Sequence, residues 1–279
     1  VSTTCGPCAG TLPTDDIRWI DDRGRDNDYN PPELNPRGII MEAKCPHSAT
    51  TVNCNDCRMS ALCLPMALQA DEIDRLNRIV ERGRPLQRNE YIYHAGEPFK
   101  SIYAVRSGAV KGFTVNDEGV EQVTGFYLPG EIFGMDGIGH PNHINSAVAL
   151  ETAAICEIPF SRLEELSTQI PSLQRHFFRL MSREITNDQQ LITMLSKNSA
   201  EERIATLLTS ISARNARRKL SGSRFRLPMS RADIGNYMGL TVETVSRVFS
   251  RFQKQDILSV DKKEIEILDL DRLRSMANT

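Results

Sequence analysis

The period of the apolar residues changes several times along this chain, and each change predicts a different element. Up to about residue 40 there is no period. Asp, Asn, Pro and Gly crowd the stretch, as in Asp26-Asn-Asp-Tyr-Asn-Pro-Pro, and such a composition has little to bury. Residues 1–40 are therefore expected to be a disordered extension. Over residues 70–82, Ile73, Leu76, Ile79 and Val80 recur at helical spacing. Over 86–160, short runs of Val, Ile, Tyr and Phe alternate with turn signals at Ala95-Gly96-Glu97, Ser107-Gly108, Asn116-Asp-Glu-Gly119 and Pro129-Gly130. Strands at that even spacing predict an antiparallel barrel or roll. A long helix is predicted from Pro171. A smaller unit follows from about residue 199: a helix, a short strand at 225–229, a helix-turn-helix over 230–254, and two strands at 258–260 and 265–268. The last two form a hairpin suited to the wing of a winged helix. The expected class is α+β. Its parts are a β-roll sensor domain over 41–170, a dimerisation helix over 171–198 and a winged helix-turn-helix over 199–279.

In the long helix, Phe178, Met181, Ile185, Asp188, Ile192 and Leu195 are spaced three and four apart by turns. A sustained period of 3.5 is the signature of a coiled-coil seam. Packing on its own domain is the alternative, and Phe177 and Leu180 suit that. Asp188 separates the two readings. In a symmetric dimer it approaches its own copy, where two desolvated carboxylates repel and leave the dimer poised. In a monomer it is simply solvated.

Within 230–254, Ser230 reads as an N-cap with Asp233 as its acidic partner three residues on. Gly239 supplies the turn and Thr241 caps a second helix. Val245, Val248, Phe249 and Phe252 face inward, which leaves Glu243, Thr244, Ser246, Arg247 and Arg251 outward. A recognition helix reads bases with residues near its N-terminus. Arg247 suits guanine O6 and N7, Glu243 a cytosine amino group, and Ser246 a thymine methyl or base edge. Arg251 and Lys254 suit phosphates.

Composition changes this picture little. With 279 residues, 40% hydrophobic, 25% charged and a net charge of −2, the chain is ordinary for two globular domains. No apolar run approaches a membrane span and no signal-peptide pattern opens the chain, so a cytoplasmic location is expected. Charge distribution says more. Residues 200–263 hold 13 Lys/Arg against 6 Asp/Glu, an excess of +7 that coincides with the helix-turn-helix and favours DNA phosphates.

Cysteines change it most. Cys54-x2-Cys57-x5-Cys63 precedes the first helical segment, and Cys156 lies in a strand-like run. In a reducing compartment, clustered cysteines are more often metal-binding than disulfide-bonded. An all-thiolate set suits structural zinc or an iron–sulfur cluster. Zinc usually uses two close pairs, and the three-plus-one arrangement tilts toward a cluster. Cys156 has a second reading as a small core residue, and Cys45, nine residues before Cys54, competes for the fourth place. Cys5-Gly-Pro-Cys8 has a redox-motif spacing but lacks the strand before it and the helix after it.

Several strings together resemble the FNR (fumarate and nitrate reduction) regulators of bacteria, within the cyclic AMP receptor protein superfamily. They are Asn53-Cys-Asn-Asp-Cys57, Leu62-Cys-Leu-Pro65, Ala104-Val-Arg-Ser-Gly108, Glu121-Gln-Val-Thr-Gly-Phe126, Ile155-Cys-Glu-Ile-Pro-Phe160 and Asp233-Ile-Gly-Asn-Tyr-Met-Gly-Leu-Thr-Val-Glu-Thr-Val-Ser-Arg247. The pattern is similar to the anaerobic regulators of pseudomonads and their relatives. This resemblance implies a cyclic-nucleotide-binding-like roll. It implies that Cys54, Cys57, Cys63 and Cys156 hold one 4Fe–4S cluster per subunit, with Cys45 outside the set. It implies an anaerobic homodimer on a palindrome like TTGAT-N4-ATCAA, inactivated when oxygen converts the cluster to 2Fe–2S. Glu243, Ser246 and Arg247 match base-reading positions, and Ile185 and Asp188 match dimer-helix positions. Ser107, Asn116, Asp117, Glu118, Gly119, Val120 and Thr152 match surfaces that touch RNA polymerase.

Two departures stand out. Where the superfamily places a phosphate-neutralising arginine, this chain has Asn145 before Ser146-Ala147, so no cyclic AMP binding is expected. The extension before Met41 is also unusual; Val1 can be read as a non-ATG start, but Met41 is the favoured start because it makes Cys54 the fourteenth residue, close to the distance usual in the family that the chain resembles. Two rivals remain. One is a cyclic-nucleotide-responsive regulator with structural zinc. The other is an iron–sulfur enzyme or electron carrier, but no nucleotide-binding glycine loop supports it. His47, His94, His140, His143 and His176 are scattered without ligand spacing, so no enzyme is expected.

Overall fold

Local capping sets the first elements. The computed structural model describes residues 52–277; Cys5, Cys8, Met41 and Cys45 lie outside them. Leu64–Ala67 form one 3-10 turn, begun by Pro65 and entered from Cys63. Helix α1 (Ala70–Ile79) starts with a reciprocal capping box between Gln69 and Glu72. The helix predicted to Arg82 stops earlier. Val80 is extended, and Glu81–Arg82 become strand β1, paired with Glu157 and Cys156. Pairing with a distant strand outweighs local periodicity there.

The roll consists of two antiparallel four-stranded sheets. Its strands are β2 (Tyr91–Tyr93), β3 (Ser101–Ser107), β4 (Val110–Val115), β5 (Glu121–Tyr127), β6 (Ile132–Phe133), β7 (Ser146–Ala149) and β8 (Ala154–Pro159). One sheet runs β1-β8-β3-β6 and the other β2-β7-β4-β5. Aromatic rings fill the space between them. Tyr93 stacks on His143 with centroids 3.9 Å apart, Tyr103 on Phe133 at 5.5 Å and Tyr127 on Phe133 at 5.2 Å.

Helix α2 (Phe160–Gln169), not anticipated from the sequence, follows β8 directly and buries Leu163 and Leu166. Helix α3 (Pro171–Lys197) begins with proline at its first position, where the missing N–H costs nothing. The C-terminal unit comprises α4 (Ala200–Arg217), β9 (Arg224–Arg226), α5 (Arg231–Met238), α6 (Val242–Lys254), β10 (Leu258–Asp261), β11 (Glu264–Ile267) and α7 (Leu270–Ala277). Strands β10 and β11 form the wing hairpin and β9 joins its edge.

One apolar cluster spans the roll and the winged helix. Val123, Phe126 and Leu128 belong to the same core as Ile234, Val245, Phe249 and Phe252. A second cluster joins Leu64, Leu76, Ile102 and Ile158 to Leu173 and Phe177 of α3. Among the described residues, no helix is long and apolar enough to cross a membrane.

Candidate metal centre and nucleic-acid interface

Two segments bring the cysteines together. Cys54 and Cys57 lie in the turns before the 3-10 helix, and Cys63 is its N-cap. Cys156 sits in the middle of its sheet, opposite Arg82 of β1 and Ala104 of β3. All four are free thiols lining one cavity, whose walls include Leu64, Leu76, Val80 and Ile158. Among the described residues, no three His, Cys, Asp or Glu side chains converge tightly enough to hold a single metal ion.

The loop is fastened at several points. Cys54 N–H donates to Asn77 Oδ1 of α1 at 3.0 Å. The Cys63 carbonyl accepts from His176 Nε2 of α3 at 3.2 Å. Leu64 is 1% exposed in the core shared with α3, a burial worth roughly 2–3 kcal/mol. Burial pushes the Cys63 thiol up to about 12. It also raises Cys54 and Cys156, each partly offset by the Arg82 charge. The donor set is therefore soft, desolvated and mutually repulsive once ionised. Such a set suits a thiophilic cationic centre, and an iron–sulfur cluster fits its chemistry.

On α3, the predicted seam lies open. Phe178, Ile185 and Ile192 are 55%, 59% and 67% exposed, Met181 and Leu195 are half-buried, and Asp188 lies exposed between them. Partial burial nevertheless lifts the Asp188 carboxyl above its ordinary pKa. Burial, and then the Asp188 charge, lifts Glu184 one turn earlier. Both acids line a cavity of about 330 Å³ between the roll, α3 and α4.

The helix-turn-helix is built as its caps predict. Ser230 Oγ accepts from Asp233 N–H at 3.0 Å, and Asp233 returns a carboxylate to Ser230 N–H at 2.9 Å. Gly239 closes α5 at φ 63°, a left-handed turn that favours glycine. A Cβ on Gly235 would sit 2.6 Å from the Leu240 carbonyl, so this close turn also needs glycine. Arg231 lies 3.4 Å over the Phe249 ring, locking α5 on α6.

On α6, Glu243, Ser246 and Arg247 are exposed. Ser246 Oγ donates to the Val242 carbonyl at 2.8 Å, which leaves its lone pairs free. Two expected contacts sit differently. Thr244 is only half-exposed, and its N–H donates to the Thr241 cap at 3.2 Å. Arg251 is ion-paired with Glu201 at the start of α4, so it must leave that partner to reach a phosphate.

Ser107, Thr152 and residues 116–120 are all exposed. Asn116 Oδ1 accepts from Val120 N–H at 2.8 Å and shapes the β4–β5 turn. The Ser107-Gly108 turn lies against Thr152, whose carbonyl would be 2.5 Å from a Cβ on Gly108.

Sequence reasoning missed the joint between roll and reader. Lys111 Nζ donates to Glu121 at 2.5 Å and to Asp233 at 3.0 Å. Asn236 Oδ1 accepts from Val123 N–H, and its Nδ2 donates to the Glu121 carbonyl at 2.6 Å, so its amide acts as a strand partner for β5. Arg214 of α4 is paired with Glu131. No pairing rule connects residues so distant in sequence. Beside Ser146-Ala147, the N–H groups of Ile144 and Asn145 both donate to Asp136 Oδ2, at 2.8 and 2.9 Å.

Residues 83–169 match the cyclic nucleotide-binding domain and residues 202–276 the Crp-like helix-turn-helix domain. The transcriptional activator protein anr of Pseudomonas aeruginosa is 52% identical over 225 residues, covering 81% of this chain and 92% of that protein. The chain belongs to the Crp/FNR family. The fumarate and nitrate reduction regulatory protein of Escherichia coli is 47% identical over 226 residues, or 81% of this chain and 90% of that one. FixK2 from Bradyrhizobium japonicum, a solved structure, shares 30% identity with a TM-score of 0.65, over 71% of this chain and 97% of its own. The Crp/FNR assignment makes the chain a transcription regulator of the FNR type that binds DNA through its helix-turn-helix, and not an enzyme.

Proposed function

We propose that this regulator responds to oxygen through a 4Fe–4S cluster held by Cys54, Cys57, Cys63 and Cys156. The observation that carries the reading is the convergence of these four cysteines, from a loop and a distant strand, on one cavity beside the dimer helix. When bound, the cluster supplies an oxygen-labile cross-link between loop and strand. The chain's own residues do the rest. Leu64 and the His176–Cys63 hydrogen bond transmit the order of the loop to α3. On α3, the apolar stripe Phe178, Met181, Ile185 and Ile192 draws two subunits together, and Asp188 opposes them. A balance of this kind moves by orders of magnitude when a few kcal/mol are added or withdrawn.

In the dimer, two copies of α6 meet successive major grooves of a palindrome like TTGAT-N4-ATCAA. Arg247, Glu243 and Ser246 read base edges, and Arg251, released from Glu201, reaches the backbone. The turn at 116–120, Ser107 and Thr152 offer exposed surface to RNA polymerase. The aromatic filling of the roll and the Asp136 carboxylate at residues 144–145 argue against a cyclic nucleotide as the signal.

The test is fluorescence anisotropy with a labelled duplex carrying that palindrome. Anaerobic protein is expected to bind with two chains per duplex and to lose binding after exposure to air. Equal affinity before and after air would overturn the reading.

A further inference from the structure

The two-residue strand β1 sets one arginine opposite a cysteine. Arg82 pairs across the sheet with Cys156, and its guanidinium reaches back to the loop. Nη2 donates to Cys54 Sγ at 3.2 Å and to Asn77 Oδ1 at 2.7 Å, while Nη1 donates to the Val80 carbonyl at 3.1 Å. Asn77 Oδ1 also accepts from Cys54 N–H. Asn77 and Arg82 thus grip Cys54 by its backbone and its sulfur together. Arg82 Nε is buried without a partner, so the guanidinium keeps a buried donor unused.

Arg82 is part-buried, and a buried donor or charge is best compensated by a negative group nearby. Among the described residues, no carboxylate lies within ion-pair distance of Arg82. The cavity that Arg82 lines also holds the four thiols and Arg106, among otherwise mostly apolar side chains. A cluster with four thiolate ligands carries the missing negative charge. Net charge and hydrogen bonds to sulfur are the levers that set such a cluster's potential.

We propose that Arg82 is a positioning residue for the cluster: its guanidinium donates to the Cys54 sulfur, offsets the negative charge of the thiolate-ligated centre, and so governs how fast that centre is lost in air. The inference rests on the cluster reading above. Its sign is fixed by electrostatics. Removing a nearby positive charge makes electrons easier to withdraw, so the potential falls and attack by dioxygen quickens. Asn77 holds Arg82 in place from α1, which assigns a task to a helix with no cysteine of its own.

The full chain is purified anaerobically as wild type, Arg82→Gln and Arg82→Lys. Iron and acid-labile sulfide are counted, the reduction potential is measured, and loss of visible absorbance is followed at fixed dissolved oxygen. Arg82→Gln is expected to have a more negative potential and to lose its absorbance about tenfold faster, the scale set by outer-shell partners of metal ligands. Arg82→Lys keeps the charge without the fork of donors, so its potential should stay near wild type and its loss rate fall between the two. If Arg82→Gln takes up no cluster while its circular dichroism is unchanged, Arg82→Lys decides. Faster loss than wild type supports the proposal, and wild-type behaviour throughout overturns it. A loaded Arg82→Gln with unchanged potential and lifetime overturns it while leaving the cluster reading intact. Wild-type protein with neither iron nor sulfide brings down that reading, and this proposal with it.

Discussion

Arg247 and Asp233 show how single side chains divide the work of the reader. Arg247 is exposed near the start of α6, where one guanidinium can meet a guanine edge. Arg247→Ala is expected to weaken binding to the palindrome by about 1–3 kcal/mol and relax selectivity at one base pair. Equal losses on random duplex would show that Arg247 touches only phosphate. Asp233 works inward. Burial raises its carboxyl, but hydrogen bonds from Ser230 and the Lys111 charge outweigh that and hold it below the ordinary value. A folded pKa below the unfolded one means stability that is present above the unfolded value and lost as pH falls through the folded one. Asp233→Asn should therefore cost about 1–2 kcal/mol at neutral pH. The gap from wild type should narrow as pH falls below about 4, which chemical denaturation at several pH values checks. Caps and outward positions of this kind are legible in sequence because they depend on neighbours three or four residues away. Lys111 and Asn236 were not legible, because their partners lie 122 and 113 residues off.

In the proposed function, helices and loops carry the switch. The 3.5-residue period on α3 was legible in the sequence, and Phe178, Ile185 and Ile192 along it are exposed. Helix α1 was read three residues too long because β1 is held by pairing with β8, which local periodicity does not register. That pairing sets Arg82 opposite Cys156. Two variants test α3 from opposite sides. Asp188→Ala removes the repulsion and should shift the air-exposed protein to a dimer in sedimentation velocity; an aerobic monomer would contradict the seam. Leu64→Ala should cost about 2–4 kcal/mol in the core that joins the cysteine loop to α3. On this account it also weakens anaerobic dimerisation, whereas destabilisation with an unaltered dimer constant would show that the loop does not speak to the helix.

Across the whole molecule, the roll, α3 and the reader are one connected object. A shared apolar cluster and the Lys111, Asn236 and Arg214 contacts fasten the winged helix to β5 and to Glu131. On the proposed account, a change in α3 reaches α6 through these packed groups. The class of fold and the cysteine pattern were legible because each repeats a local grammar: even strands, caps, and three cysteines within ten residues. What joins them was not, because it depends on which surfaces meet. The central claim is that four thiols from two distant segments hold one oxygen-labile centre. Its most direct test is an anaerobic absorption spectrum of the full chain with iron and sulfide analysis, repeated after air is admitted. The account predicts brown protein with about four irons and four sulfides per chain, bleaching on exposure to air. A colourless, air-stable protein carrying one zinc would contradict it.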